Sequence, residues 1–212
     1  MRFIYLHGFA SSPASRKAQY FRTQFAQHEV DLEIPFLDQG DFSRLTISGQ
    51  LGVVEKLLKG EPAVLVGSSM GGYLAALYAA AHPEIARIVL MAPAFGFASR
   101  WREMTGQTQL DAWRTSGWMD VYHYGERAKR PVHYSLLADA LVYPGNPFFM
   151  QPALIFHGIS DTVVPIELSR RFAVEHANTK LVELVSDHEL GDVLENIASQ
   201  SMPFLLAAAQ TR

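Results

Sequence analysis

One stretch of the sequence constrains the fold more than any other. The apolar run PAVLV at residues 62–66 passes through GSSMGG directly into a helical pattern at Met70–Ala81. A continuous apolar run predicts a strand buried on both faces, which is typical of parallel sheets covered by helices. Pro83 ends the helix, because proline disfavours helical backbone in the residue before it. The stretch therefore predicts a central strand, a tight turn of small residues and a helix.

The same alternation of strand and helix continues along the chain. Further apolar runs predict buried strands at residues 2–7, 86–91, 152–157 and 180–185. Residues 30–36 (VDLEIPF) alternate apolar and acidic side chains, which predicts a sixth strand at a sheet edge. This order predicts an α/β fold, a three-layer sandwich around a mostly parallel, six-stranded, doubly wound sheet. Helices are predicted at Ser12 onward (with Ser12 as N-cap), at about 43–58, at 165–175 and at about 190–209.

The chain has 212 residues, which suits one domain, and we predict a single domain over residues 1–212. An insertion at about residues 95–150 interrupts the alternation, with many aromatic residues and no clear strand. Long segments of this kind are usually functional loops or lids. We predict a helical cap, and whether it covers a substrate, packs on the body or forms a dimer interface stays open. Its candidate substrate-binding residues are Trp101, Trp113, Trp118 and Tyr122.

The turn at residues 67–71 is a candidate nucleophile site. Its residues, Gly-Ser-Ser-Met-Gly, match the pattern G-x-S-x-G with Ser69 at the centre, between a buried strand and a helix. The flanking glycines let neighbouring backbone close around a strained turn. A glycine-rich packing turn is the alternative. A phosphate loop is disfavoured, because the turn lacks the lysine of a P-loop and the pattern G-x-G-x-x-G.

A nucleophilic serine needs a base and an acid that orients the base. Asp161 follows the predicted strand at 152–157 and therefore lies at the carboxyl edge of the sheet. His188, in SDHEL, follows the last predicted strand. The order Ser69, Asp161, His188 is the order of the hydrolases that use the G-x-S-x-G turn.

Other histidines and carboxylates are weaker candidates. His7 and His157 precede glycines at strand ends, where we interpret them as shaping loops. Asp187 adjoins His188, so the two side chains diverge. Asp192 is a minor rival to Asp161.

Two backbone N–H groups are candidates for an oxyanion hole. Met70 follows Ser69 at a helix N-terminus, and Phe9 lies in the loop HGFASS after the first strand, with its neighbour Ala10 as the alternative donor. If residues 30–36 form the edge strand, the order in which strands are added across the sheet switches direction between the first strand and the strand before Ser69. Ligands bind at such switch points, so these two loops are expected to flank the site.

Composition narrows the classes of partner. The net charge is −3 and no basic surface dominates, which disfavours nucleic acid. The chain has no cysteine, so it has no disulfide, thiolate metal site or cysteine nucleophile. No signal peptide or membrane-spanning segment is recognised in the sequence, so a cytoplasmic location and no membrane partner are expected.

These motifs resemble the α/β-hydrolase family. The matching pieces are LHGF, VGSSMGG, HGISDTVVP and SDHEL, spread over the chain outside the insertion. The opening YLHGFASSPASRKAQYF is similar to that of small bacterial YqiA-like esterases. The resemblance implies an α/β-hydrolase fold that lacks the first two strands of full-size members. It also implies hydrolysis of short acyl esters or thioesters beneath a cap formed by the insertion.

Residues and resemblance together predict a serine hydrolase, a carboxylesterase or acyl thioesterase. Ser69 attacks a small acyl substrate, His188 transfers the proton and Asp161 orients His188, with no cofactor and no metal. A carbon–carbon bond hydrolase or a peptidase with the same three residues is the alternative within enzymes. A non-catalytic binding protein of the same fold is the alternative outside them. The expected assembly is a monomer or homodimer.

Overall fold

The computed structural model describes residues 1–210. Its strands are β1 (Arg2–Leu6), β2 (Ala63–Ser68), β3 (Ile85–Met91), β4 (Trp118–His123), β5 (Ala128–His133), β6 (Ala153–Gly158) and β7 (Thr179–Leu184). Its helices are α1 (Arg16–Ala26), α2 (Ile47–Leu58), α3 (Met70–Ala81), α4 (Phe97–Thr105), α5 (Gln107–Ser116), α6 (Ser135–Ala140), α7 (Ile166–Glu175) and α8 (Leu194–Gln210). The main sheet is parallel in the order β1-β2-β3-β6-β7, and β4 pairs with β5 in a separate antiparallel hairpin.

Helices cover both faces of the main sheet, which confirms the predicted α/β class. All six residues of β2 are buried. Leu65 packs on one face with residues of α2, α3 and α6. Val64 and Val66 pack on the opposite face with residues of α1 and α8. The unbroken apolar run in β2 therefore reflects two separate cores, one on each side of the strand.

The predicted sixth strand at residues 30–36 is not formed. The segment touches β1 through one parallel bridge, in which Glu33 N–H donates to Phe3 O and Tyr5 N–H donates to Glu33 O (2.9 and 2.8 Å). Pro35 has no N–H with which to extend the pairing. Phe36, predicted to face the core, is 68% exposed. Glu33 still lies beside β1 on the side away from β2. The direction in which successive segments are added across the sheet therefore changes at β1, as predicted.

Three helix starts differ from the prediction. The N-cap of α1 is Ser15 rather than Ser12, because the Ser15 side chain accepts from Ala18 N–H. Thr46 caps α2, which follows a short 3₁₀ turn at Phe42–Arg44. The last helix begins at Leu194, after a loop in which Leu190 has a positive φ. Among residues 1–210, no helix combines the length and apolar character needed to cross a bilayer.

The insertion contains strands, contrary to the prediction. Helices α4 and α5 lead into the hairpin β4–β5, and α6 follows. Alternate residues of β4 point inward and His123 is buried, whereas Trp118 and Tyr122 point outward and are exposed. Because the aromatic side chains lie on the outer face, hydrophobicity alone did not reveal the alternation that marks a strand.

Candidate active site

The turn between β2 and α3 holds Ser69 in an unusual backbone conformation. Its φ and ψ are 54° and −118°, a region that non-glycine residues rarely adopt. Ser69 N–H donates to Met91 O (2.8 Å), and Ser69 O accepts from the N–H groups of Tyr73 and Ala94 (3.1 and 3.0 Å). Hydrogen bonds to β3, α3 and the loop after β3 therefore hold the turn in place.

Two glycines permit this turn because the backbone packs tightly around it. A Cβ on Gly67 would lie 2.7 Å from Gly72 Cα, and a Cβ on Gly71 would lie 2.6 Å from His7 O. Both distances are too short for real contacts. A Cβ on Gly8 would lie 3.4 Å from Ser69 Cβ, so the loop after β1 lies directly against Ser69.

His188 lies within hydrogen-bonding distance of both of the residues predicted to act with it. His188 Nε2 is 3.1 Å from Ser69 Oγ, and His188 Nδ1 is 2.7 Å from Asp161 Oδ2. Nδ1 donates to the carboxylate, so Nε2 is free to accept the Ser69 hydroxyl proton. The loops after β2, β6 and β7 thus bring the Ser69 hydroxyl, the Asp161 carboxylate and the His188 imidazole into one series of hydrogen bonds.

The side chain of Asp161 is buried and has several hydrogen-bond donors. Its Oδ1 accepts from the N–H groups of Val163 and Val164, each at 2.8 Å. Burial by itself raises the pKa of Asp161. Hydrogen bonds from His157, His188 and the Val164 N–H, together with the charge of His188, outweigh burial and hold this pKa far below its usual range. Asp161 is therefore a stable carboxylate at neutral pH.

The rival acids have other partners. Asp187 Oδ1 accepts from the N–H groups of Glu189 and Leu190, which closes its own turn. Asp192 accepts a short hydrogen bond from the Ser186 hydroxyl. The structure therefore pairs His188 with Asp161.

The loop after β1 has a fixed shape beside the candidate oxyanion donors. His7 is buried, and its Nδ1 lies 3.0 Å from Gly8 O, consistent with the loop-shaping role expected for it. Burial lowers the pKa of His7. Phe9 packs its ring against Phe42 and Trp101 (centroids 5.4 and 5.1 Å). Met70 is the first residue of α3, where N–H groups lack intrahelical partners.

The four candidate substrate-binding aromatics occupy three different environments. Trp101 is partly buried and stacks edge-on against Phe9, so it lies above the loop that adjoins Ser69. Trp113 is 1% exposed and its Nε1–H donates to Val132 O (3.0 Å). The expectation for Trp113 is therefore wrong, because it is a core residue of the insertion. Trp118 and Tyr122 are on the outer face of the hairpin.

Sequence reasoning missed one side chain beside the site. The sequence predicts only a loop-shaping role for His157, whereas its Nε2 lies 3.1 Å from Asp161 Oδ2 and its Nδ1 lies 2.7 Å from Ser169 Oγ. No spacing in the sequence signals this contact, because His157 lies at the end of β6 and the chain passes through a turn before Asp161. Within residues 1–210, no cluster of three or more His, Asp or Glu side chains is arranged to hold a metal ion.

A family model described as "Uncharacterised protein family (UPF0227)" matches residues 2–204. The chain belongs to UPF0227. The mouse palmitoyl-protein thioesterase ABHD10, mitochondrial, is 29% identical to this UPF0227 chain over 129 residues, 58% of the chain and 43% of the mouse protein. The human protein of the same name is 26% identical over 144 residues, 65% of the chain and 46% of that protein. The matches thus span less than half the length of these relatives.

Solved structures share the fold of this UPF0227 chain. Est1E from Butyrivibrio proteoclasticus with bound ferulic acid aligns at a TM-score of 0.83, with 21% identity, over 98% of this chain and 89% of Est1E. Mouse alpha/beta hydrolase domain-containing protein 10 aligns at a TM-score of 0.80, with 18% identity, over 95% and 88%. The fold is that of the α/β-hydrolases, as the sequence motifs implied.

Proposed function

We propose that this chain is a serine hydrolase that cleaves small acyl esters or thioesters through a covalent acyl-enzyme. The observation that carries the proposal is the hydrogen-bonded chain Ser69–His188–Asp161 on a strained strand-to-helix turn. Distances of 3.1 and 2.7 Å suit proton transfer from serine to imidazole and orientation of that imidazole by a carboxylate.

The acylation step follows from this geometry. His188 Nε2 takes the hydroxyl proton of Ser69 while Oγ adds to the substrate carbonyl carbon. The negative charge that forms on the carbonyl oxygen is stabilised by the N–H groups of Met70 and Phe9. The tetrahedral intermediate collapses, and His188 returns the proton to the departing alcohol or thiol.

Deacylation repeats the sequence with water. His188 removes a proton from water, the hydroxide oxygen attacks the acyl carbon and Ser69 Oγ leaves with that proton. The products are a carboxylic acid and free enzyme, so the overall reaction consumes one ester or thioester and one water. Asp161 stays ionised throughout and stabilises the imidazolium that forms at each step.

Names of similar proteins support an acyl substrate. The relatives named ABHD10 are palmitoyl-protein thioesterases, and Paleococcus ferrophilus monoacylglycerol lipase shares the fold at a TM-score of 0.73 and 15% identity. Trp101, which packs on Phe9 in the loop after β1 beside Ser69, is the aromatic residue that we assign to the acyl pocket. The proposal includes a monomer or homodimer in the cytoplasm, with no nucleic-acid or membrane partner.

Matched serine variants test the proposal. We expect Ser69→Ala to lower kcat/KM for p-nitrophenyl butyrate and for a short acyl-CoA thioester by about 10⁴-fold or more. Ser68→Ala, one residue away, is expected to have a far smaller effect. Wild-type rates in Ser69→Ala, or a wild-type chain that hydrolyses neither substrate, would contradict the proposal.

A further inference from the structure

His157 is a buried histidine that the reaction described above does not use. It lies in β6 and is fully buried. One ring nitrogen, Nε2, is 3.1 Å from Asp161 Oδ2 and 2.9 Å from Val164 O. The other, Nδ1, is 2.7 Å from the hydroxyl of Ser169 on α7. The imidazole therefore bridges α7 and the loop that carries Asp161.

The partners of His157 define where its proton lies. Nε2 faces a carboxylate oxygen and a carbonyl oxygen, and both can only accept, so Nε2 carries a hydrogen. In the neutral ring Nδ1 then accepts from the Ser169 hydroxyl, which fixes this tautomer. The resulting chain of hydrogen bonds runs from Ser169 through His157, Asp161 and His188 to Ser69.

This arrangement gives each oxygen of Asp161 two N–H donors, although the single Nε2–H of His157 is shared between Oδ2 and the nearer Val164 O. Oδ1 accepts from Val163 and Val164, while Oδ2 accepts from His188 and His157. The oxygen that orients His188 is thus the one that His157 also contacts. A carboxylate with four donors has no freedom to rotate, and its charge is shared among those donors.

Building on the proposed function, we propose that His157 is a positioning residue for Asp161. Its Nε2–H holds Oδ2 in place against His188 and limits how strongly the carboxylate retains a proton on the His188 ring. Ser169 acts one step further out by fixing the His157 tautomer. Removal of His157 leaves a carboxylate that favours the imidazolium more strongly, so His188 accepts the serine proton less readily at mildly acidic pH.

Other charged residues surround this network, and none of them is substituted in the variants described below. Glu183 on β7 interacts electrostatically with His157. Arg100 on α4 and Lys17 on α1 interact electrostatically with Asp161, and the Arg100 guanidinium also donates to Val163 O. Asp187 and Glu189 flank His188 in sequence and interact electrostatically with Lys17.

Three variants separate positioning from simple packing. His157→Leu removes the donor, whereas His157→Gln keeps an amide N–H near the position of Nε2. Ser169→Ala removes the hydroxyl that fixes the tautomer. Ser201→Ala is the matched control, since Ser201 is equally buried in α8 and its Oγ has no hydrogen-bond partner within the described residues.

The pH profile of kcat/KM is the decisive measurement. For His157→Leu we expect a loss of roughly 10- to 100-fold, by analogy with groups that orient metal ligands. The acidic limb of the kcat/KM profile of His157→Leu should move to higher pH by about one unit. A shift of that size corresponds to the loss of one hydrogen bond to a charged group. His157→Gln should stay close to the wild-type profile, and Ser169→Ala should shift in the same direction as His157→Leu by less. Ser201→Ala should not shift.

The other possible results either overturn or support the positioning role of His157. A wild-type pH profile in His157→Leu, with only a uniform loss of rate or stability, would overturn the proposal. If His157→Leu does not fold, an unshifted profile in Ser169→Ala overturns it and a shifted one supports it. A pH titration of the His188 ring signals by NMR needs no turnover. It therefore tests His157 even if the chain hydrolyses no ester, a result that would defeat only the proposed function.

Discussion

At the scale of single residues, Ser69 has a strained backbone conformation that hydrogen bonds from neighbouring elements hold in place. A non-glycine residue in such a conformation costs about 1–3 kcal/mol, and it persists only where the surroundings impose it. Backbone bonds to Met91, Tyr73 and Ala94 supply that constraint. In this conformation the Ser69 side chain makes no capping hydrogen bond to α3, and its Oγ lies 3.1 Å from His188 Nε2, so the conformation is tied directly to the proposed chemistry.

The pH dependence of stability should reveal the hydrogen bonds of Asp161. Its pKa is lower in the folded chain than the value of about 3.9 expected when unfolded. The unfolded state therefore binds more protons below that value, and the stability from Asp161 is present above about pH 4 and lost as the pH falls further. Urea unfolding of wild type and Asp161→Asn should give a free-energy gap at about pH 5 that narrows by about pH 2.5. An equal gap at both pH values would contradict this account.

At the scale of elements, the contact between α3 and β1 depends on Gly71. An added methyl group would fall against the carbonyl oxygens of Leu6 and His7, so α3 would have to move away from β1. We expect Gly71→Ala to lower both the melting temperature and kcat, because the shift also displaces Ser69. Gly52→Ala is the control, since a Cβ there has no atom of another element within 4 Å. That change in α2 should be neutral or stabilise by about 0.5–1 kcal/mol, and equal effects of the two substitutions would argue against the packing account.

Elements whose pattern follows directly from burial could be predicted, and those set by tertiary contacts could not. The bounds of α3 could be predicted at both ends, because an unbroken run of small and apolar residues lies between the Ser69 turn and Pro83. Residues 30–36 have strand periodicity but form one bridge, since Pro35 and an exposed Phe36 limit pairing. The hairpin β4–β5 was missed because its aromatic residues point outward.

At the scale of the whole molecule, parallel topology explains why the site could be predicted. Ser69, Asp161 and His188 each follow a strand of one parallel sheet, and the ends of those strands share an edge. The contact of His157 with Asp161 could not be predicted in the same way. It depends on which direction one side chain of β6 points and on how α7 packs beside it. Trp113 shows the same limit, since composition could not tell core from pocket.

The central claim is that Ser69 is the residue that becomes acylated, and covalent labelling tests it most directly. A fluorophosphonate probe reacts with an activated serine and leaves a stable adduct that peptide mass mapping assigns to one residue. We predict a single adduct on Ser69 in the wild type, no adduct in Ser69→Ala and continued labelling in Ser68→Ala. An adduct on Ser68, or undiminished labelling of Ser69→Ala, would contradict the assignment.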